Sequence, residues 1–339
     1  MNSFERVVAA ISHKEPDQVP LVLLPTLHGA RECRVSIREY FSDPLQVVRG
    51  QEIIREKYGL DDYSSFYYAS LETEAFGGET IFTDDGPPVT GNPIIKNSGD
   101  IDHLRLPEVS ASPPLKKCLD TTNKLAELSR GETPVIGVVI SPFSLPAMQM
   151  GLGPYLQLLY QDEERFEGLM EINTAFTEEW AKCQIEAGAN ALVYFDPVSS
   201  PTIIPPDLYR ATGHRIASSL IPRINAPVVT AFASGRCFSI IEDVIATRSA
   251  GIIVSEDEDL GTIRSICRDR IAVFGNMNGI AMRHWSVGET EEKVLKILQD
   301  AGKGGGFVLS EQHGEIPLQV PEEVLFAIRD AVRTHGSYT

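Results

Sequence analysis

The chain has 339 residues, with 30 Lys and Arg set against 47 Asp and Glu for a formal charge of -17. So acidic a balance argues against a nucleic-acid binder that tracks phosphates and against attraction to an anionic membrane surface. A small molecule or another protein is the expected partner. No apolar run approaches the roughly 18 to 20 residues of a membrane span, and Met1 to Arg6 lacks the basic-then-apolar pattern of a signal peptide, so a cytoplasmic protein is expected. Cys33, Cys118, Cys183, Cys237 and Cys267 are widely spaced and include no Cys-x-x-Cys pair, which fits neither a disulfide framework nor a structural zinc finger.

Asn2 or Ser3 is placed to cap a first helix through Phe4, Val7, Val8 and Ile11, with Glu5 in its first turn. Residues 19–24 read as the first strand, and residues 25–31, including His28 and Arg31, as its exit loop. A helix follows from Asp43-Pro44 to Tyr58-Gly59, where Pro44 suits the first helical position. Residues 62–69 form a second strand candidate, with Glu72 and Glu74 just beyond it. From Gly78 to Pro114 the chain is rich in Gly, Pro, Asn and Asp, and predicts a hairpin excursion over the body of the fold.

Beyond Pro114 strand and helix alternate to the end. Strands are predicted at 134–141, 191–196, 227–232, 251–255 and 271–276, and a last one runs from Gly304-Gly305-Gly306 to Glu311. The strands are short and apolar on both faces, each followed by a helix, so a parallel sheet covered on both sides is implied. Eight such units predict a single (β/α)8 barrel over residues 1–339; an open doubly wound sheet is the alternative.

In such a barrel the active site lies at the C-terminal ends of the strands. The residues collected there are His28 and Arg31, Glu72 and Glu74, Ser141, Asp196, Ser234, Glu256 to Asp259, Asn276 and Asn278, and Glu311 with His313. Several have plain structural readings: Asp196 before Pro197 as a turn former, Arg31 as a surface cation, the acidic run from Glu256 as a helix start. His313 stands apart, because an imidazole on a loop directly after a buried strand is placed to bind a metal or move a proton. No nucleophile elbow or phosphate-binding loop appears, and Gly304 to Gly306 precede their strand instead of following it.

These residues resemble the uroporphyrinogen decarboxylase superfamily, which includes corrinoid-dependent methyltransferases. The likeness runs over nearly the whole chain. It is carried by Arg6 to Pro20, Glu74-Ala75-Phe76-Gly77, Pro134 to Phe143, Glu186-Ala187-Gly188-Ala189 through Phe195-Asp196-Pro197 to Pro201, Gly275-Asn276-Met277-Asn278, and Pro317 to Val324. The block from Glu186 to Pro201 looks most like the methyltransferase branch. That resemblance implies a homodimeric methyltransferase, working with a corrinoid carried on a partner protein and with a small methyl donor or acceptor.

The departures shape the expected chemistry. The coenzyme M enzymes of this branch hold zinc through a His-x-Cys pair after the fifth strand and a Cys after the eighth, where this chain has Phe232-Ala233-Ser234 and His313. Those ligands are absent, and Cys237, three residues on, restores them only with a register shift. His313 with Glu256 is the remaining candidate pair for a metal, a harder set suited to oxygen ligands. The favoured reading is methyl transfer from a methoxylated or related donor. In it His313, Glu74 and Asp196 would be catalytic, and His28, Arg31, Phe232, Ser234, Asn276, Asn278 and Glu311 would bind substrate. Decarboxylation of a tetrapyrrole and a non-catalytic corrinoid-partner barrel are the alternatives; Phe232-Ala233-Ser234-Gly235 and His313-Gly314 resemble the decarboxylase branch.

Overall fold

The computed structural model describes residues 1–338. In chain order its strands are β1 (Tyr63–Ser64), β2 (Thr80–Ile81), β3 (Val89–Thr90), β4 (Val135–Ile140), β5 (Ala191–Phe195), β6 (Val228–Ala231), β7 (Gly251–Val254), β8 (Ala272–Met277) and β9 (Phe307–Glu311). β2 and β3 pair as an antiparallel hairpin, which is the excursion expected after the second strand. The other seven form one parallel sheet in the order β1-β4-β5-β6-β7-β8-β9. Parallel neighbours need crossovers, and helices such as Glu163–Glu186 and Val287–Ala301 supply them on the outside of the curl.

Residues 19–24 close the gap between the sheet's two ends without becoming a regular strand. Leu21 bridges Leu309 in parallel; Val22 N–H donates to the Leu309 carbonyl at 3.0 Å, and Leu309 N–H to the Pro20 carbonyl at 2.9 Å. On the other side Asp61 N–H donates to the Leu21 carbonyl at 2.8 Å, and Leu21 N–H to Asp61 Oδ2 at 2.9 Å. Pro20 and Pro25 have no N–H to give, so the ladder is interrupted. The result is a TIM-barrel-like closed curl with seven regular strands and one seam, where the sequence suggests eight strands.

Two expected loops are helical. The chain folds into α1 (Ser3–Ile11), α2 (Thr26–Cys33), α3 (Ile37–Ser42), α4 (Pro44–Tyr58) and α5 (Ser70–Ala75), so the exits after the first two strand candidates are α2 and α5. The anchor of α2 is remote: Leu27 N–H donates to Glu315 Oε1 at 2.9 Å, satisfying a helix-start donor from the far end of the chain. Local signals predict the rest better. Asn2 and Glu5 form a capping box on α1, Asp43 caps α4 with Pro44 behind it, and Gly59 ends α4 at φ +66°.

α1 lies across the N-terminal end of the barrel. Its Ala10 packs with Val229, Ala272, Phe274 and Val308, and the Gly306 N–H donates to the Ala10 carbonyl at 2.9 Å. The chain passes under this helix through Gly304, Gly305 and Gly306, all at positive φ (+83°, +66° and +69°). A Cβ on Gly305 would stand 2.5 Å from the backbone of Lys14. Glycine is required there both by conformation and by contact.

Candidate functional site

Side chains alternate along each strand, so one set faces the helices and the other the barrel axis. The helix-facing residues Val135, Val139, Leu192, Tyr194, Ile252 and Val254 are fully buried. The axial residues Ile136, Val138, Val193, Phe195 and Ile253 are only half-buried. They line a cavity of about 430 Å³ that runs from Val7 and Ile11 of α1 to Tyr68, Pro88 and His313 at the mouth. Among the described residues no Lys or Arg lines it.

The polar groups of this cavity collect on one side. Glu311 at the end of β9 is buried, and burial pushes its carboxyl up to about 8 even though N–H groups, its own and that of Leu24, favour the charged form. Asp62, beside β1, is pushed well above the usual carboxylate range by burial and by the neighbouring Glu311. Glu315 is raised as well, chiefly by burial, against the Leu27 N–H that it accepts. Glu311 Oε2 and Asp62 Oδ1 are buried and find no hydrogen-bond partner among the described residues. Protonated carboxyls with unpartnered oxygens in a cavity lined mostly by apolar side chains can donate hydrogen bonds or release a proton to a ligand. Glu311 belongs to the set expected from the strand ends. Gln312 and Glu315 lie on the polar loop into which the last strand empties but were not among the expected site residues, nor was Asp62, which opens the second strand candidate.

His313 lines the mouth and is half-buried. Burial lowers its pKa, against the opposing charges of Glu256 and Asp257, so the ring is neutral at pH 7. Nε2 lies 3.3 Å from the Gln312 amide nitrogen, while Nδ1 is buried without a partner among the described residues. The Gln312 amide oxygen accepts from Glu256 N–H, and the Glu256 carboxylate accepts from the Asn278 amide. His313, Gln312, Glu256 and Asn278 therefore share one hydrogen-bonded chain at the mouth. Asn276, at the end of β8, donates to the Ser255 carbonyl at 3.2 Å and ties β8 to the loop after β7.

The remaining predicted residues are placed elsewhere. Glu74 on α5 accepts from Tyr68 Oη and Thr80 Oγ1, both at 3.0 Å, and so joins the β2–β3 hairpin to the cavity-lining Tyr68. Asp196 is buried and accepts from Ser141 Oγ at 2.5 Å and Ser144 Oγ at 2.7 Å, which pins the turns after β4 and β5. His28 is fully buried in α2, between the Pro317 carbonyl (3.1 Å) and the Arg31 guanidinium (2.8 Å). Burial and Arg31 lower its pKa to about 4. Arg31 turns to Glu322 at 3.2 Å in the helical layer, and neither it nor His28 lines the cavity. Phe232 is in the core against Tyr209, and Ser234 is exposed.

Zinc in the pattern of the thiolate relatives finds no donor set. Cys237 is buried, with its thiol on Glu258 Oε2 at 3.2 Å and its N–H on the same carboxylate. Among the described residues no three His, Cys, Asp or Glu side chains converge as ligands, so His313 and Glu256 are not joined by a third.

A uroporphyrinogen decarboxylase from Geobacter sp. (strain M21) is 29% identical over 282 residues, covering 80% of this chain and 79% of its own. A methylcobamide:CoM methyltransferase from Methanosarcina barkeri is 24% identical over 335 residues, with 96% of both chains covered. In structure, a methyltransferase from Methanosarcina mazei superposes with a TM-score of 0.88 at 19% identity, covering 98% of this chain and 99% of that one, which establishes the shared fold. The profile of the uroporphyrinogen decarboxylase (URO-D) family matches residues 2–335, and the chain belongs to that family.

Proposed function

We propose that this protein is a methyltransferase that moves a methyl group between a small donor and the cobalt of a corrinoid held on a partner protein. The carrying observation is the lining of the cavity: Asp62, Glu311 and Glu315 face it, and among the described residues no Lys or Arg does. A tetrapyrrole bearing many carboxylates would meet acids where it needs cations. A small uncharged methyl donor meets no such penalty.

The corrinoid, when bound, supplies a cobalt centre able to accept or return the methyl group. This chain's residues bind and orient the donor and manage the proton. Glu311, protonated at neutral pH, has a free Oε2 from which to hand a proton to an oxygen that loses its methyl group. His313, neutral at the mouth, accepts or donates one hydrogen bond at Nδ1, and Gln312 orients it. The corrinoid's approach from outside fits the loops that follow the strands, where Ile203, Phe238 and Ile280 remain 42 to 50% exposed. Conversion of cob(I)alamin to its methylated form, tested with methoxyarenes, methylamines and methyl thiols as donors, is the direct assay, with His313→Ala and Glu311→Gln expected to lose at least 100-fold. Decarboxylation is the second reading, favoured by relatives such as the Geobacter decarboxylase at 29% identity. Coproporphyrinogen formed from uroporphyrinogen would decide for it.

A further inference from the structure

Barrels of this kind normally fill their axis with layers of bulky side chains. Here the layers are thinned. Ser64, Ala191, Ala231 and Ser310 take axial positions, and their larger neighbours Val138 and Val193 stay half-buried beside an open volume of about 430 Å³. The same strands are completely closed on their helical side, so the exposure reflects a hollow interior and not a loose sheet. α1 closes the far end through Val7 and Ile11, leaving the mouth as the way in.

The hollow is two-sided. The sheet order puts β1 and β9 on either side of the seam at Leu21, and from them come Asp62, Ser64, Ser310 and Glu311. Across the axis, β5, β6 and β7 present Val193, Phe195, Ala231 and Ile253. A ligand matching these walls has a hydrocarbon body and a hydrogen-bonding oxygen at one edge. A charged group on the body would be stranded among apolar side chains or would face the carboxyls. We propose that the barrel interior binds an uncharged hydrocarbon-rich molecule, aryl or alkyl, with an oxygen directed to Ser310, Asp62 and Glu311 and its apolar body against Val193, Ala231 and Ile253. As the seat of the methyl donor, this site rests on the methyl-transfer reading; as a ligand site it is measured without turnover.

The test uses the full chain, calorimetric titration and thermal melts. Anisole and its non-transferable analogue ethylbenzene are the probes, with 4-methoxybenzoate as the charged control. The wild type is expected to bind both neutral probes with a negative heat-capacity change, anisole more tightly, and 4-methoxybenzoate at least 10-fold more weakly. Val193→Phe, which fills the hollow, is expected to lose at least 10-fold in affinity for ethylbenzene while its melting temperature stays level or rises. Val138→Phe repeats the test from another strand should the first variant fail to fold. Absence of binding in the wild type, equal affinity for the charged control, or unchanged affinity in the folded Phe variants would overturn the proposal. A chain that binds ethylbenzene but methylates no cobalt from any donor keeps this site and loses the reaction. One that turns over methylamines and ignores both aromatics keeps the reaction and loses the site.

Discussion

Two buried carboxyls stand at strand ends on the same face of the barrel and have opposite surroundings. Asp196, after β5, accepts from two serine hydroxyls, and Ser144 goes on to accept the Val198 N–H at 3.0 Å. Glu311, ending β9, keeps a buried oxygen without a partner among the described residues, as does its neighbour Asp62. Both positions satisfy the rule that chemistry gathers at C-terminal strand ends, so position alone does not separate them. Hydrogen bonding does: a carboxylate that gathers two serine hydroxyls shapes turns, and one with a buried, unpartnered oxygen is available to a ligand.

The contrast is tested most severely by Asp196→Ala. Removing that carboxylate strands buried serine hydroxyls, and the expected cost is about 3 to 4 kcal/mol in urea denaturation. A loss under about 1 kcal/mol would remove the structural role argued for Asp196.

Glu311→Gln should go the other way. A carboxyl raised from an ordinary 4.5 to about 8 in the folded chain contributes stability fully present below pH 4.5 and lost as pH rises through 8. The amide has no such titration, so the variant should gain on the order of 3 kcal/mol relative to wild type on going from pH 5 to pH 8. Parallel melting curves for the two proteins across that range would contradict the buried, protonated state of Glu311.

His28 supplies the opposite limb. Its pKa falls from 6.5 to about 4 on folding, so its contribution is present above pH 6.5 and lost as pH falls through 4. His28→Ala should cost about 2 kcal/mol at pH 7 through lost packing and hydrogen bonds, yet flatten the acid side of the stability profile. The smallest effect is expected from His313→Ala. On a half-exposed loop it should change stability by no more than about 0.5 kcal/mol while abolishing turnover. A large stability loss there would make His313 a structural residue like His28.

Much of the barrel was legible because its signals are local. Apolar runs, the Asn2 and Asp43 caps and the Gly59 stop all act within a few residues, and the predicted strands after Pro114 lie where β4 to β9 form. What escaped depends on distant partners. α2 is secured by Glu315, 288 residues beyond Leu27, and no pattern in residues 25–31 announces it. The site shows the same division. Glu311 and His313 could be placed by counting past a strand, whereas His28 and Arg31, which look like substrate ligands on a loop, are drawn into the helical layer by Pro317 and Glu322. Asp62 was missed because it opens the second strand candidate, away from the C-terminal strand ends, and nothing local announces Glu311, its neighbour across the seam.

The glycine run beneath α1 sets a limit that the mouth of the barrel does not reveal. With the N-terminal helix seated on Gly305, the interior is a blind tube, and whatever enters must leave by the same opening. Such a tube measures its contents: a molecule too long for it projects into the path of anything approaching the mouth. A single methyl group at position 305 would press on the backbone of Lys14 and unseat the helix that sets this length.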